Sequence, residues 1–234
     1  MNKPLTFTAK ELNSTIYLAA IGSPVIDGLQ YRLNESAEWQ QYILGTEIEL
    51  ENVGDYVQFQ NTKNQLSTSN DNFVYFAMTG KIAASGNIQS LLNYSNSCTS
   101  YCYVNMFETC TSLTKAPELP ATNLANDCYR NMFSFCINLI DAPELPATEL
   151  ANLCYSDMFK GCISLTEAPV LPATNLANWC YSDMFESCIN LTKAPKLPAT
   201  NLADGCYLGM FNGCSKLKNK PKINNLIKKV VYIY

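Results

Sequence analysis

Residues 102–127 read Cys102-Tyr103-Val104-Asn105-Met106-Phe107-Glu108-Thr109-Cys110-Thr111-Ser112-Leu113-Thr114-Lys115-Ala116-Pro117-Glu118-Leu119-Pro120-Ala121-Thr122-Asn123-Leu124-Ala125-Asn126-Asp127, and the same order restarts 26 residues later at Cys128-Tyr129. It restarts again at Cys154-Tyr155, Cys180-Tyr181 and Cys206-Tyr207, with no insertion between copies. The Met-Phe pair (Met106-Phe107, Met132-Phe133, Met158-Phe159, Met184-Phe185, Met210-Phe211) holds one column. Leu113, Leu139, Leu165, Leu191 and Leu217 hold another. Four full units and a truncated fifth fill 102–223.

A unit of this length cannot bury its apolar positions alone, whereas stacked copies place each apolar side chain over its predecessor. Two prolines per unit, such as Pro117 and Pro120, forbid a regular helix there and suit an extended segment with a tight corner. The Tyr-x-x-Met-Phe-x-x-Cys stretch has apolar residues three and four apart, so it reads as a short helical turn on the opposite side. At about 4.8 Å per coil the array is about 25 Å long.

The unit resembles the leucine-rich repeats of BspA-type bacterial surface proteins, in their 26-residue variety, over residues 98–223. Gly80-Lys81-Ile82-Ala83-Ala84-Ser85-Gly86-Asn87-Ile88-Gln89-Ser90-Leu91-Leu92 is similar to the entry segment of such arrays. The resemblance implies a solenoid without catalytic activity, used in adhesion and surface recognition. Related repeats also occur in proteins of phages that infect gut bacteria.

Upstream of the repeats, period-2 runs at Leu5–Ala9, Thr15–Ala20, Leu29–Leu33, Glu47–Glu51, Tyr56–Gln60 and Phe73–Met78 are separated by turn residues. They predict a small antiparallel β-sandwich over 1–79. The expected organisation is that sandwich, a junction and N-terminal cap over 80–101, the leucine-rich-repeat solenoid over 102–223, and a C-terminal cap strand over 224–234. The fold class is mainly β, with short helical turns in the solenoid.

Composition narrows the chemistry. The 234 residues are 47% hydrophobic and only 15% charged, with a net charge of −4 and no histidine. An acidic balance argues against nucleic acid as a partner. The lack of histidine removes Ser-His-Asp and Cys-His catalysis and every His-containing zinc site. All 20 acidic residues lie at or before Asp204, while six of the 16 basic ones follow it: Lys216, Lys218, Lys220, Lys222, Lys228 and Lys229. Ten of the 11 cysteines are repeat positions, and Cys98 stands outside the pattern. Like cysteines of stacked coils lie about 4.8 Å apart and point the same way, a poor geometry for disulfides. They are therefore expected to be reduced core residues, with no bound metal and no cofactor.

The variable columns carry the expected binding surface. Glu118 and Glu144 share a column with Val170 and Lys196, which reads as a variable surface and not as paired acid and base. The neighbouring column, Lys115, Asp141, Glu167 and Lys193, pairs opposite charges at 115/141 and 167/193. Leu153 and Trp179 stand in a column with Asp127 and Gly205, and Phe135 stands where other units carry Thr109, Gly161 and Ser187. These large apolar residues are either tucked against adjacent corners or exposed as an anchor patch.

The first ten residues show no apolar run of signal-peptide type, and no segment approaches the roughly 18 apolar residues of a membrane span. The chain is accordingly expected to be a non-enzymatic structural and recognition protein of a phage virion, made in the host cytoplasm. A bacterial cell-surface adhesin is the alternative. Its expected partners are a protein or surface glycan, a capsid or envelope protein, and further copies of itself in a homo-oligomer, without membrane insertion.

Overall fold

The computed structural model describes residues 3–219 and Pro221. The chain is mainly β. Its one helical element among the described residues is a single 3-10 segment, Ile88–Leu92, capped by the Asn87 side chain. The C-terminal cap strand expected over 224–234 lies outside the described residues.

Nine strands form among the described residues: β1 (Leu5–Ala9), β2 (Ser14–Ile21), β3 (Leu29–Leu33), β4 (Gln40–Gln41), β5 (Ile48–Leu50), β6 (Tyr56–Asn61), β7 (Phe73–Met78), β8 (Ile82–Ser85) and β9 (Leu113–Lys115). They make a six-stranded sheet in the order β4-β3-β6-β1-β8-β9 and a three-stranded sheet in the order β5-β2-β7. The alternation in the sequence sets the faces. Leu5, Phe7 and Ala9 of β1 are buried, as are Ile16 and Leu18 of β2, while the residues between them are only partly covered. The two sheets meet through aromatic rings, with Phe7 and Phe76 at 4.6 Å and Phe59 and Phe76 at 5.3 Å between centroids.

The larger sheet runs into the repeats. β8 pairs antiparallel with β1 and parallel with β9, so Ile82 lies beside Leu113. Phe76 of β7 donates its N–H to Met106 O (2.9 Å) and its ring stacks on Phe107 at 5.4 Å. A single hydrophobic core therefore extends from Leu5 to Leu217.

Five rows, 101–110, 127–136, 153–162, 179–188 and 205–214, stack upon one another. Their backbone donors alternate. Val104, Met106, Glu108 and Cys110 bond back three residues within their own row, at 3.0–3.3 Å. Tyr103, Asn105, Phe107 and Thr109 bond forward to Cys128, Arg130, Met132 and Ser134 of the next row, at 2.8–3.0 Å. Both sets recur down to the fourth row, so the amides of these rows are paired. Each row is a chain of tight turns, which corrects the expectation of short helical turns. The reason is conformational. Every fourth residue, such as Tyr101, Asn105 and Thr109, has φ between 55° and 61°, and an α-helix requires φ near −63° throughout.

Inside, the invariant positions form ladders. Phe107, Phe133, Phe159, Phe185 and Phe211 stack with centroids 5.4–5.8 Å apart and planes within 7°. Tyr103, Tyr129, Tyr155, Tyr181 and Tyr207 stack likewise at 5.4–5.9 Å, with planes within 13°. Such stacking adds about 0.5–1.5 kcal/mol per pair beyond burial. Cys136, Cys162 and Cys188 donate their thiols to the carbonyls of Phe107, Phe133 and Phe159 at 3.0–3.1 Å, tying each row to its predecessor.

Candidate proline-face site

The proline segments, 116–120, 142–146, 168–172 and 194–198, lie on the other side of each repeat. Proline supplies no N–H, so two prolines in five residues prevent a continuous ladder between neighbouring segments. The structure leaves clefts there. One of about 530 Å³ lies between Pro117–Pro120 and Pro143–Pro146, and one of about 420 Å³ lies between Pro143–Pro146 and Pro169–Pro172. Leu119, Leu145 and Leu171 turn inward and are buried, which holds the segments down, while the residue between each Pro and Leu faces outward.

Four of the residues singled out in the sequence belong to this face. Glu118 and Glu144 are exposed and line the first cleft, Val170 lines the second, and Lys196 continues the column as an exposed cation. Lys115 and Asp141 line the first cleft too, but they form no ion pair with each other. Glu167 and Lys193 do, at 2.5 Å between exposed side chains. That pair contributes little stability.

Leu153, Trp179 and Phe135 belong to the turn rows instead. All three have φ of 57–58°, where a bulky side chain is uncommon. Trp179 is 42% exposed and Phe135 45%, and each ring rests on a glycine of the next row, Gly205 and Gly161 respectively. Leu153 and Trp179 occupy consecutive rows, with Leu153 N–H donating to Asn178 O (3.0 Å). The rings are thus seated against their neighbours and still half open to solvent.

Sequence reasoning missed a second apolar strip. Ile163 and Ile189 are exposed at equivalent positions in consecutive repeats, with Ile137 preceding them half-buried. The signal was present, because the column reads Thr111, Ile137, Ile163, Ile189, Ser215.

The turn rows also carry a charge network. Lys160 Nζ reaches Glu186 at 2.6 Å and Asp157 at 3.4 Å, and Ser156 Oγ donates to Asp157 at 2.7 Å. Burial, with nearby Asp157 adding to it, pushes the Glu108 carboxyl up, and burial does the same to Asp183. All 11 cysteines are buried. Burial pushes the thiols of Cys110, Cys162 and Cys180 up to about 12, so they stay protonated at neutral pH. The Cys98 thiol goes the other way, pushed down by the neighbouring Cys102 and Cys128 thiols.

No group of three or more acidic or cysteine side chains among the described residues is arranged to hold a metal ion, and no described helix is long and apolar enough to cross a membrane. Comparison with protein-family models, curated proteins and solved structures finds no match to this chain.

Proposed function

We propose that the chain is a non-catalytic recognition protein, built as a leucine-rich-repeat solenoid capped by its N-terminal β-sandwich and displayed on a phage virion. The sandwich attaches the protein to the particle, and the repeats present the binding surface. One observation carries this reading. The buried columns repeat almost without change, whereas the exposed column over the proline clefts reads Glu118, Glu144, Val170, Lys196. A rigid periodic scaffold that carries variable residues in exposed columns such as this one is suited to presenting a readable surface. Unpaired thiols from Cys98 to Cys206 suit folding in a reducing compartment, as cytoplasmic virion assembly would provide.

The repeat's resemblance to surface proteins favours a second reading, an adhesin on the bacterial envelope. Mass spectrometry of purified particles and of envelope fractions separates the two. Recovery in stoichiometric amounts from particles supports the virion reading, and recovery from envelopes alone replaces it with the adhesin.

A further inference from the structure

The first proline segment is closed on one side. Glu118 N–H donates to Gly86 O (2.8 Å), and Ile88 N–H donates to Glu118 O (3.1 Å). One repeat later the same pair of bonds is missing. Glu144 N–H, the counterpart of Glu118 N–H, and Leu119 N–H, the counterpart of Ile88 N–H, have no hydrogen-bond partner among the described residues. These amides border the 530 Å³ cleft, whose walls are the proline rings on either side. Two strand-like segments thus face each other with their ladder unmade, and unmade backbone bonds are what an added extended chain satisfies.

The charges say which chain. Glu118, Asp141 and Glu144 line the cleft against one cation, Lys115, and none of these four side chains is bonded to another. Proline rings offer apolar contact to the methylene stem of a long basic side chain, whose charged end then meets the carboxylates at the rim. Further along the face the sign reverses at Lys193 and Lys196.

We infer that the cleft between Pro117–Pro120 and Pro143–Pro146 binds an extended cationic segment of a partner protein, whose backbone pairs with the open Leu119 and Glu144 amides while an Arg or Lys side chain sits between Glu118 and Glu144. This inference rests on the recognition reading and names the partner's chemistry.

The test uses the full chain and a labelled ten-residue peptide alternating Arg and Val, with a Glu-Val peptide as the comparison. Fluorescence anisotropy should detect binding of the Arg peptide alone. Glu118→Gln combined with Glu144→Gln should weaken it about tenfold or more, the scale of a lost charge-assisted hydrogen bond. Both changes are on exposed side chains, so the thermal midpoint should stay in place. Replacing alternate peptide amides by esters should weaken binding, because an ester carbonyl is a poorer acceptor for the Leu119 and Glu144 N–H groups. Equal binding to the wild type and the double variant would overturn the inference. So would a preference for the Glu peptide that Lys196→Gln removes. Salt-sensitive self-association that competes with the peptide and disappears in Lys216→Gln/Lys218→Gln would make a second copy the occupant, and would also overturn it. The recognition reading fails separately, by absence of the chain from both particles and envelopes.

Discussion

The indole of Trp179 sits on Gly205, one repeat further along the chain. A methyl group built on Gly205 would meet Trp179 Cδ2 and Cε3 at 2.6 Å. Phe135 and Gly161 stand in the same relation two columns away. At both places a large ring at a left-handed position is answered by glycine in the next row. Glycine is needed twice over there, for the missing side chain and for φ of 60° at Gly205 and 70° at Gly161.

Gly205→Ala should therefore destabilise the protein by about 1–3 kcal/mol, from left-handed strain and from the collision with the indole. Trp179→Ala made first should remove the collision and leave the strain. Urea denaturation of both single variants and the double variant gives the coupling, expected at about 0.5 kcal/mol or more. Strict additivity would mean that the ring swings away freely.

The phenylalanine ladder should be the costliest place to cut. Phe159 stacks at 5.7 Å on both Phe133 and Phe185, so Phe159→Ala opens a cavity facing two rows. The expected loss is about 3–5 kcal/mol. A loss under 1 kcal/mol would require the rows to collapse into the gap, against the hydrogen bonds that set their spacing.

Cys136→Ala should cost less, about 1 kcal/mol. The carbonyl it leaves, Phe107 O, still accepts the Cys110 N–H at 3.0 Å, so no buried acceptor is orphaned. A cost equal to that of Phe159→Ala would show the thiol ladder to be a principal tie between rows.

Alkali should unfold the protein through its thiols. Cys110, Cys162 and Cys180 are raised by burial from 9.0 to about 12, so above pH 9 the unfolded chain loses protons that the folded chain keeps. Stability from these groups is complete below pH 9 and is lost as pH climbs from 9 to 12. The urea midpoint should fall steeply above pH 9. A midpoint insensitive to pH 11 would contradict the burial of these thiols. At neutral pH, titration of denatured, unreduced protein should return most of the 11 cysteines as thiols.

How much was legible in the chain differs between its two parts. In the N-terminal part three strands, Leu5–Ala9, Leu29–Leu33 and Phe73–Met78, fall where the alternation puts them. The two-residue β4 at Gln40–Gln41 was invisible, because both side chains are exposed and carry no apolar signal. The attachment of Phe76 to the first row was hidden too. It lies 31 positions before Phe107, outside the 26-residue register, although it occupies the ladder's next rung. Of the candidate binding residues, the shared column of Glu118, Glu144, Val170 and Lys196 could be read directly. Their assembly around open clefts could not, because nothing in a single repeat says whether neighbouring proline segments pair.

The sequence by itself determined that like residues stack. An unbroken 26-residue period forces each position into the same surroundings in every copy, so invariant Tyr, Met, Phe and Cys had to form ladders. Only the tertiary structure decided which side ties the stack together. Apolar residues three and four apart suit a helix or a chain of turns equally, and the choice depends on φ at every fourth residue. One such column, Asn105, Asn131, Asp157, Asp183 and Gly209, favours the left-handed conformation, while its neighbour holds Tyr101, Asp127, Leu153, Trp179 and Gly205. The bulky members of that second column are held there by the row-to-row hydrogen bonds, which exist only once a second repeat is in place.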